Sequence, residues 1–151
     1  MTHSNRSEFS HPSVSVGNIV ADLKKSFDFY TNVIDMKKTG EFSVDAAKAQ
    51  ELGLSDQQLD VTVLQLEESP QANVWKLIEL GKPAPKSKRI NDGSGMRYIT
   101  IHVNHLEPFI QRIKKHGVEI LSSEGANLGA DKYFVLIQDP DGTFIELIGP
   151  M

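Results

Sequence analysis

One carboxylate near the end of the chain stands within an apolar stretch and is well placed to do chemistry. Glu146 lies inside the run FIELIG at residues 144–149, and a second apolar run occupies residues 133–138. Between them, residues 139–142 read Asp-Pro-Asp-Gly, a turn in which proline presets φ and glycine accepts positive φ. The pattern predicts a β-hairpin with an ionisable group in its second strand. Because burying a lone carboxylate is costly, we expect Glu146 to have a partner or a function.

The composition limits the classes of protein to consider. The 151 residues are 39% hydrophobic, enough for a packed core, and the absence of cysteine excludes disulfide scaffolds, thiolate zinc sites and cysteine nucleophiles. No apolar run is long enough to span a membrane, and residues 1–10 carry no secretory signal, so we expect a cytoplasmic protein. The basic run at residues 82–89 contains prolines and no aromatic residue, which indicates a solvated linker and no nucleic-acid partner.

Hydrophobic periodicity predicts the elements that must position Glu146. In the first half we expect a strand at 11–16, a helix at 22–33, a short helix at 46–52, and strands at 59–66 and 73–80. A second series follows, with a strand at 98–103, a helix at 106–116, a short strand at 118–121 and the hairpin at 133–150. The two halves therefore repeat one strand-helix-strands pattern.

This repetition predicts the architecture. We expect a polar tail at 1–10, a first βαβββ module at 11–80, a linker at 81–95 and a second βαβββ module at 96–151. In each module the helix covers one face of the sheet and leaves the other free. Two paired modules can therefore form an α+β fold in which mixed, curved sheets surround a central cavity, the usual place for a ligand.

Several short fragments occur in the order found in a known superfamily. They are HPSVSVGNI at 11–19, FDFY at 27–30, NVIDM at 32–36, DPDG at 139–142 and IEL at 145–147. Together they resemble the glyoxalase, bleomycin-resistance and extradiol-dioxygenase superfamily, the vicinal oxygen chelate proteins, and within it the lactoylglutathione lyase type. The resemblance covers nearly the whole chain and implies the paired-module fold.

The resemblance also implies four cavity positions, one from the first strand and one from the last strand of each module, which in that superfamily hold a divalent metal. His11 and Glu146 match the family's histidine and glutamate. Tyr98 stands where a histidine is expected, and Lys76 where an acidic residue is expected. A different register offers Glu79 in place of Lys76, but the two lie on opposite strand faces and only one can face the cavity. The matching Lys-Leu-Ile and Glu-Leu-Ile runs favour Lys76.

Two further residues are expected on the cavity-facing side of their strands. Ser13 has the parity of His11, and His102 has the parity of Tyr98, although it lies roughly 13 Å further along at about 3.3 Å per residue. Both are candidates for ligand binding. Neither replaces a missing metal ligand.

Two hypotheses follow from the residues at the four cavity positions. In the first, a Lys76–Glu146 ion pair replaces a degraded metal site, and the protein binds a small polar or anionic molecule. In the second, a lyase or isomerase uses Glu146 as general base and Tyr98 or His11 as acid, with Lys76 or a loosely held divalent metal (nickel, zinc, iron or manganese) stabilising an enolate. In both, the partner is a small molecule, and exposed sheet edges favour a homodimer.

Overall fold

The computed structural model describes residues 8–151, so most of the expected polar tail lies outside the described part. The strands are β1 (Ser15–Val20), β2 (Lys37–Val44), β3 (Leu59–Gln65), β4 (Val74–Glu79), β5 (Tyr98–His102), β6 (Tyr133–Gln138) and β7 (Phe144–Gly149). The helices are α1 (Leu23–Asp28), a π-helical turn (Phe29–Val33), α2 (Ala46–Glu51), a 3₁₀ turn (Ile90–Asp92) and α3 (Glu107–Lys115). No helix in the described part is both long enough and apolar enough to cross a membrane.

The strands form two sheets. The first has the order β1-β4-β3-β2, with β3 antiparallel to both of its neighbours, and the second has the order β5-β7-β6. In the second sheet β5 is parallel to β7, while β6 and β7 form the antiparallel hairpin expected from the sequence. These sheets and the few short helices confirm the α+β class with two mixed sheets.

The chain divides into two compact units, which are described separately. Among the described residues, the first unit contains 8–19 together with Met36–Ile78, and the second contains Val20–Asp35 together with Glu79–Met151. The helix α1 and its π-helical turn therefore belong to the same unit as the second sheet. The division into modules at 11–80 and 96–151 stays a prediction.

The first strand begins later than the sequence predicts. The alternation at residues 11–16 is wrong as a strand boundary, because β1 runs over Ser15–Val20 and continues through Gly17 and Asn18. Its neighbour β4 fixes this position: the Val74 amide donates to the Val14 carbonyl at 2.9 Å, and the Asn18 side chain donates to the Lys76 carbonyl at 3.1 Å. Pairing with another strand therefore outweighs the local pattern.

Two other elements differ from the prediction. The strand β2 was not expected, because KKTGEFSV has charged residues, a glycine and no apolar alternation; it forms by pairing with β3, with an irregularity between Lys38 and Gly40. The expected strand at 118–121 is wrong, since that segment is irregular. Only Leu121 donates to the Leu136 carbonyl, while the Ser122 hydroxyl accepts from the Leu136 amide and so takes the place of a further strand bond.

A buried polar pair joins α1's π-helical extension to the hairpin turn in the second unit. The Tyr30 hydroxyl donates to Asp139 Oδ2 at 2.6 Å, and both residues are buried. Asp139 Oδ1 accepts the amides of Asp141 and Thr143 at 2.9 and 2.8 Å. The first aspartate of the DPDG turn thus closes the turn with one oxygen and holds the helix with the other.

The start of α1 is held by two further carboxylates. Asp141 accepts from the Ala21 amide and the Ser26 hydroxyl, at 3.1 and 3.3 Å. Glu79 accepts from the Leu23 amide at 2.6 Å. Since the first amides of a helix lack internal partners, the bond to Glu79 satisfies the Leu23 amide, while the bonds to Asp141 tie the start of the helix to the hairpin turn.

Asp139 should give the protein a distinct pH dependence. Burial is the largest cause of a pKa raised above 3.8, although the bond from Tyr30 and those from the Thr143 and Asp141 amides oppose it. The folded state therefore binds a proton at pH values where the unfolded chain has lost it. The stability that this proton contributes is fully present below the unfolded pKa and is lost as pH rises through the folded pKa, with a slope of at most about 1.4 kcal/mol per pH unit.

We expect Asp139→Asn to remove this component, because an amide can accept the two backbone bonds and donate to the Tyr30 oxygen without titrating. Urea unfolding from pH 3 to pH 8 measures the difference between wild type and variant. Asp131→Asn, a change at an exposed loop carboxylate with positive φ that asparagine tolerates, is the matched control. Parallel pH profiles for wild type and Asp139→Asn would contradict the assignment.

Candidate functional site

The partner of Glu146 within its unit is Thr100. The parallel register of β5 and β7 sets these two residues opposite each other, and the Thr100 hydroxyl donates to Glu146 Oε1 at 2.7 Å. On the same face Glu146 lies between Phe144 and Ile148, which are both buried. Glu146 itself is half-buried. One carboxylate oxygen is therefore fixed by a hydroxyl, on an otherwise apolar strand.

Tyr98 and His102 flank this pair along β5. Tyr98 is opposite Phe144 and His102 is opposite Ile148, so both share the face of Glu146, and both are exposed. Each is two residues from Thr100, or about 6.6 Å along the strand. The arrangement sets a phenol and an imidazole on either side of a carboxylate, a combination suited to hydrogen bonding or proton transfer.

His11 and Ser13 lie in the first unit, ahead of β1. They are not on the strand where the sequence predicts them. His11 Nδ1 is 3.0 Å from the Ser13 hydroxyl oxygen, and that hydroxyl donates to the Pro70 carbonyl at 3.4 Å. Because the His11 side chain is exposed, its role as a ligand or acid stays a prediction.

The structure distinguishes Lys76 from Glu79. Lys76 is opposite Val63, and its ammonium lies 5.6 Å from the centre of the Phe42 ring, a cation–π contact on the first sheet. Glu79 accepts from the start of α1, as described above, which gives it a structural role. Lys76 and Glu146 belong to different units, so their pairing stays a prediction.

A degraded metal site stays a prediction, which rests on the four positions that the resemblance implies. Catalytic metal centres usually have three protein ligands, and the resemblance predicts two here, His11 and Glu146, with Tyr98 and Lys76 at the other positions. Among residues 8–151, no group of three or more histidine, aspartate or glutamate side chains is arranged to hold a metal ion.

Sequence reasoning missed Thr100. Its signal was present, since it lies between Tyr98 and His102 with the same parity, but its importance depends on β5 pairing with β7. A hydrophobic pattern gives the parity of a strand and does not give its register with a neighbour. The hydrogen bond between Tyr30 and Asp139 was also missed, because the two residues are 109 positions apart in the sequence and no local pattern connects them.

Comparison with known proteins assigns the family. The model of the Glyoxalase/Bleomycin resistance protein/Dioxygenase superfamily matches residues 14–147, which is most of the chain. The chain belongs to this superfamily. The match includes Lys76, Tyr98, His102 and Glu146, and it begins after His11 and Ser13.

Individual relatives agree with this assignment. The lactoylglutathione lyases of Neisseria meningitidis serogroups A and B are each 26% identical over 140 residues, covering 91% of this chain and 87% of theirs. A glyoxalase family protein from Bacillus cereus has a TM-score of 0.69 at 17% identity, with 96% and 97% of the two chains covered. A mutant fosfomycin resistance protein of Listeria monocytogenes, complexed with Mn(II) and dihydroxypropylphosphonic acid, has a TM-score of 0.59 at 14% identity, with 93% and 91% covered. The superfamily fold is therefore shown.

Removing the Thr100 hydroxyl should loosen Glu146 with little effect on stability. We expect Thr100→Val to lower the free energy of unfolding by about 0.5 to 1.5 kcal/mol, the net value of one hydrogen bond, and to shift the NMR resonance of the Glu146 side-chain carboxyl. Thr100→Ser keeps the donor and serves as the control. If the serine and valine variants shift that resonance equally, the hydrogen bond does not hold Glu146.

Proposed function

We propose that this protein binds a small molecule bearing a carbonyl or carboxylate group, and that the metal site of its superfamily is degraded in this chain. The support for the proposal is the set of side chains that the resemblance predicts at the family's metal positions: His11 and Glu146 are able to bind a metal, and the others are a phenol and a lysine. Tyr98, His102 and the Thr100-bound Glu146 supply polar contacts to a ligand hydroxyl or carbonyl. Lys76 supplies the positive charge that attracts its carboxylate and replaces the acidic ligand.

The remaining parts of the proposal concern the assembly and location of the protein. We include a homodimer, supported by the sheet-edge strand β1, where Ile19 is 53% exposed, since unpaired edges favour association. A cytoplasmic location is included too, supported by the absence of cysteine from the sequence.

A binding experiment tests the role of Lys76. Calorimetric titration with lactate, pyruvate and glyoxylate should show saturable binding of at least one, and Lys76→Met should weaken it about tenfold because the carboxylate loses its counter-charge. Lys37→Met, which removes an exposed lysine elsewhere in the first unit, is the control. Equal affinity of the Lys76→Met and wild-type proteins would contradict the role of Lys76.

Metal analysis separates this proposal from its alternative. For the binding protein we expect less than stoichiometric nickel, zinc, iron or manganese after purification, and equal thermal shifts of wild type and His11→Ala with each divalent ion. One tightly held metal per chain that His11→Ala loses would overturn the proposal.

The alternative function is a lyase or isomerase of lactoylglutathione lyase type, with Glu146 as general base and a divalent metal. The 26% identical lactoylglutathione lyases and the hydrogen bond from Thr100 to Glu146 favour it. In this alternative, Glu146 removes a proton from carbon, and a divalent metal held by His11 and Glu146 would supply positive charge to stabilise the negative charge that develops.

Turnover tests the alternative directly. Methylglyoxal mixed with glutathione should be converted to a thioester, and Glu146→Gln should lower kcat by about 10²-fold or more, because an amide cannot accept the proton. The increase in thioester absorbance measures the rate, and Glu119→Gln, at an exposed carboxylate outside the Glu146 face, is the control. Activity that survives Glu146→Gln unchanged would exclude Glu146 as the base.

A further inference from the structure

A cavity lies in the second unit, beside the turn of the β6–β7 hairpin. It has a volume of about 620 Å³, within the range of small-molecule sites. Its walls come from α1 with its π-helical turn, the linker, the chain after α3, and the hairpin, all in the second unit. The side chains that bear on the argument are Lys25, Lys86, Lys88 and His116, with Phe29 and Leu121 as apolar surface. None of the candidate residues of the Glu146 face lines it.

The linker is fixed where it forms this wall. Buried Gln138 donates to the Ser87 carbonyl at 2.6 Å and to the Gly142 carbonyl at 3.1 Å. Lys86 also lies against Gly142, since a Cβ placed there would be in van der Waals contact with the Lys86 side chain at 3.4 Å. Lys86 and Lys88 therefore flank an anchored residue, and both line the cavity. The basic run was expected to be a solvated linker, and the structure gives this part of it a defined position.

Two further nitrogen groups reach the cavity from other segments. Lys25 comes from α1, whose start is held by the Asp22 cap on the Lys25 amide. His116 follows α3, and its Nδ1 lies 2.9 Å from the Arg112 carbonyl oxygen. Because a carbonyl only accepts, Nδ1 carries the hydrogen and Nε2 stays available. Cationic and imidazole groups thus surround the cavity from three separate segments.

The acidic residues of the lining do not cancel this charge. Asp28 is paired with Lys24, whose ammonium lies 2.6 Å from Asp28 Oδ2, and this leaves Glu119 as the other carboxylate. Three lysines then face one carboxylate that has no such counter-charge, so the cavity has an excess of positive charge. An anion is the ligand that this excess favours.

We propose that this cavity is a second binding site, for a small organic phosphate. Lysine ammonium groups are compact point charges that bind phosphate well, and an imidazole nitrogen adds a hydrogen-bonding partner. Phe29 and Leu121 provide apolar surface for the organic part of the ligand. The site is independent of the function proposed for the Glu146 face.

Calorimetric titration of the full chain with phenyl phosphate tests the proposal. We expect saturable binding that weakens at least about fivefold in Lys86→Ala/Lys88→Ala and also in Lys25→Ala, which removes a cation from a different wall. Phenol, which lacks the phosphate, and inorganic phosphate, which lacks the apolar part, should each bind more weakly than phenyl phosphate. Lys132→Ala, at an exposed lysine outside the cavity, should leave the affinity unchanged.

The outcomes separate this site from others. Unchanged affinity in both lysine variants would overturn the proposal, as would benzoate binding as tightly as phenyl phosphate. Loss of phenyl phosphate binding in Glu146→Gln would overturn it too, because the ligand would then occupy the Glu146 face. All three lysines are exposed, so the variants should unfold at the wild-type urea concentration; if the double variant does not fold, Lys25→Ala decides.

Discussion

The hydrogen bond between Tyr30 and Asp139 is the constraint on which the second unit depends. A buried phenol and a buried carboxylate would each be costly alone, and together they satisfy one another. The bond holds the helical segment against the hairpin turn, while the same carboxylate closes that turn. Strand β7, which carries Glu146, begins after this turn, and Pro140 of the turn lines the cavity that contains the three lysines. Fragments FDFY and DPDG are therefore structural partners.

The chemistry of the Glu146 face depends on a second pairing, the parallel register of β5 and β7. In that register Thr100 lies opposite Glu146 and donates a hydrogen bond to its half-buried carboxylate. Tyr98 and His102 lie on either side of Thr100 along β5. The superfamily model covers both strands of this face, since it matches residues 14–147. The face therefore carries hydrogen-bonding groups from Tyr98, Thr100 and His102 beside the Glu146 carboxylate.

The local sequence was sufficient to predict elements that are specified by residues close together in the chain. Helix α3 and the hairpin were predicted closely, because an amphipathic helix ended by Gly117 and a tight turn with Gly142 at positive φ are specified by neighbouring residues. The prediction was wrong for segments whose conformation depends on pairing with a strand elsewhere in the chain. Strand β2 has no apolar alternation of its own and forms on β3, and the segment at 118–121 alternates yet contributes one backbone bond to β6.

The sequence by itself determined the α+β class, the mid-strand carboxylate at Glu146 and the resemblance to a superfamily, because these depend on residue types and short-range periodicity. The tertiary structure alone decided that Thr100 holds Glu146, that Glu79 caps a helix, and that Lys86 and Lys88 line a cavity. The physical reason is that strand register and the position of a linker depend on contacts between residues far apart in the chain, which periodicity does not encode.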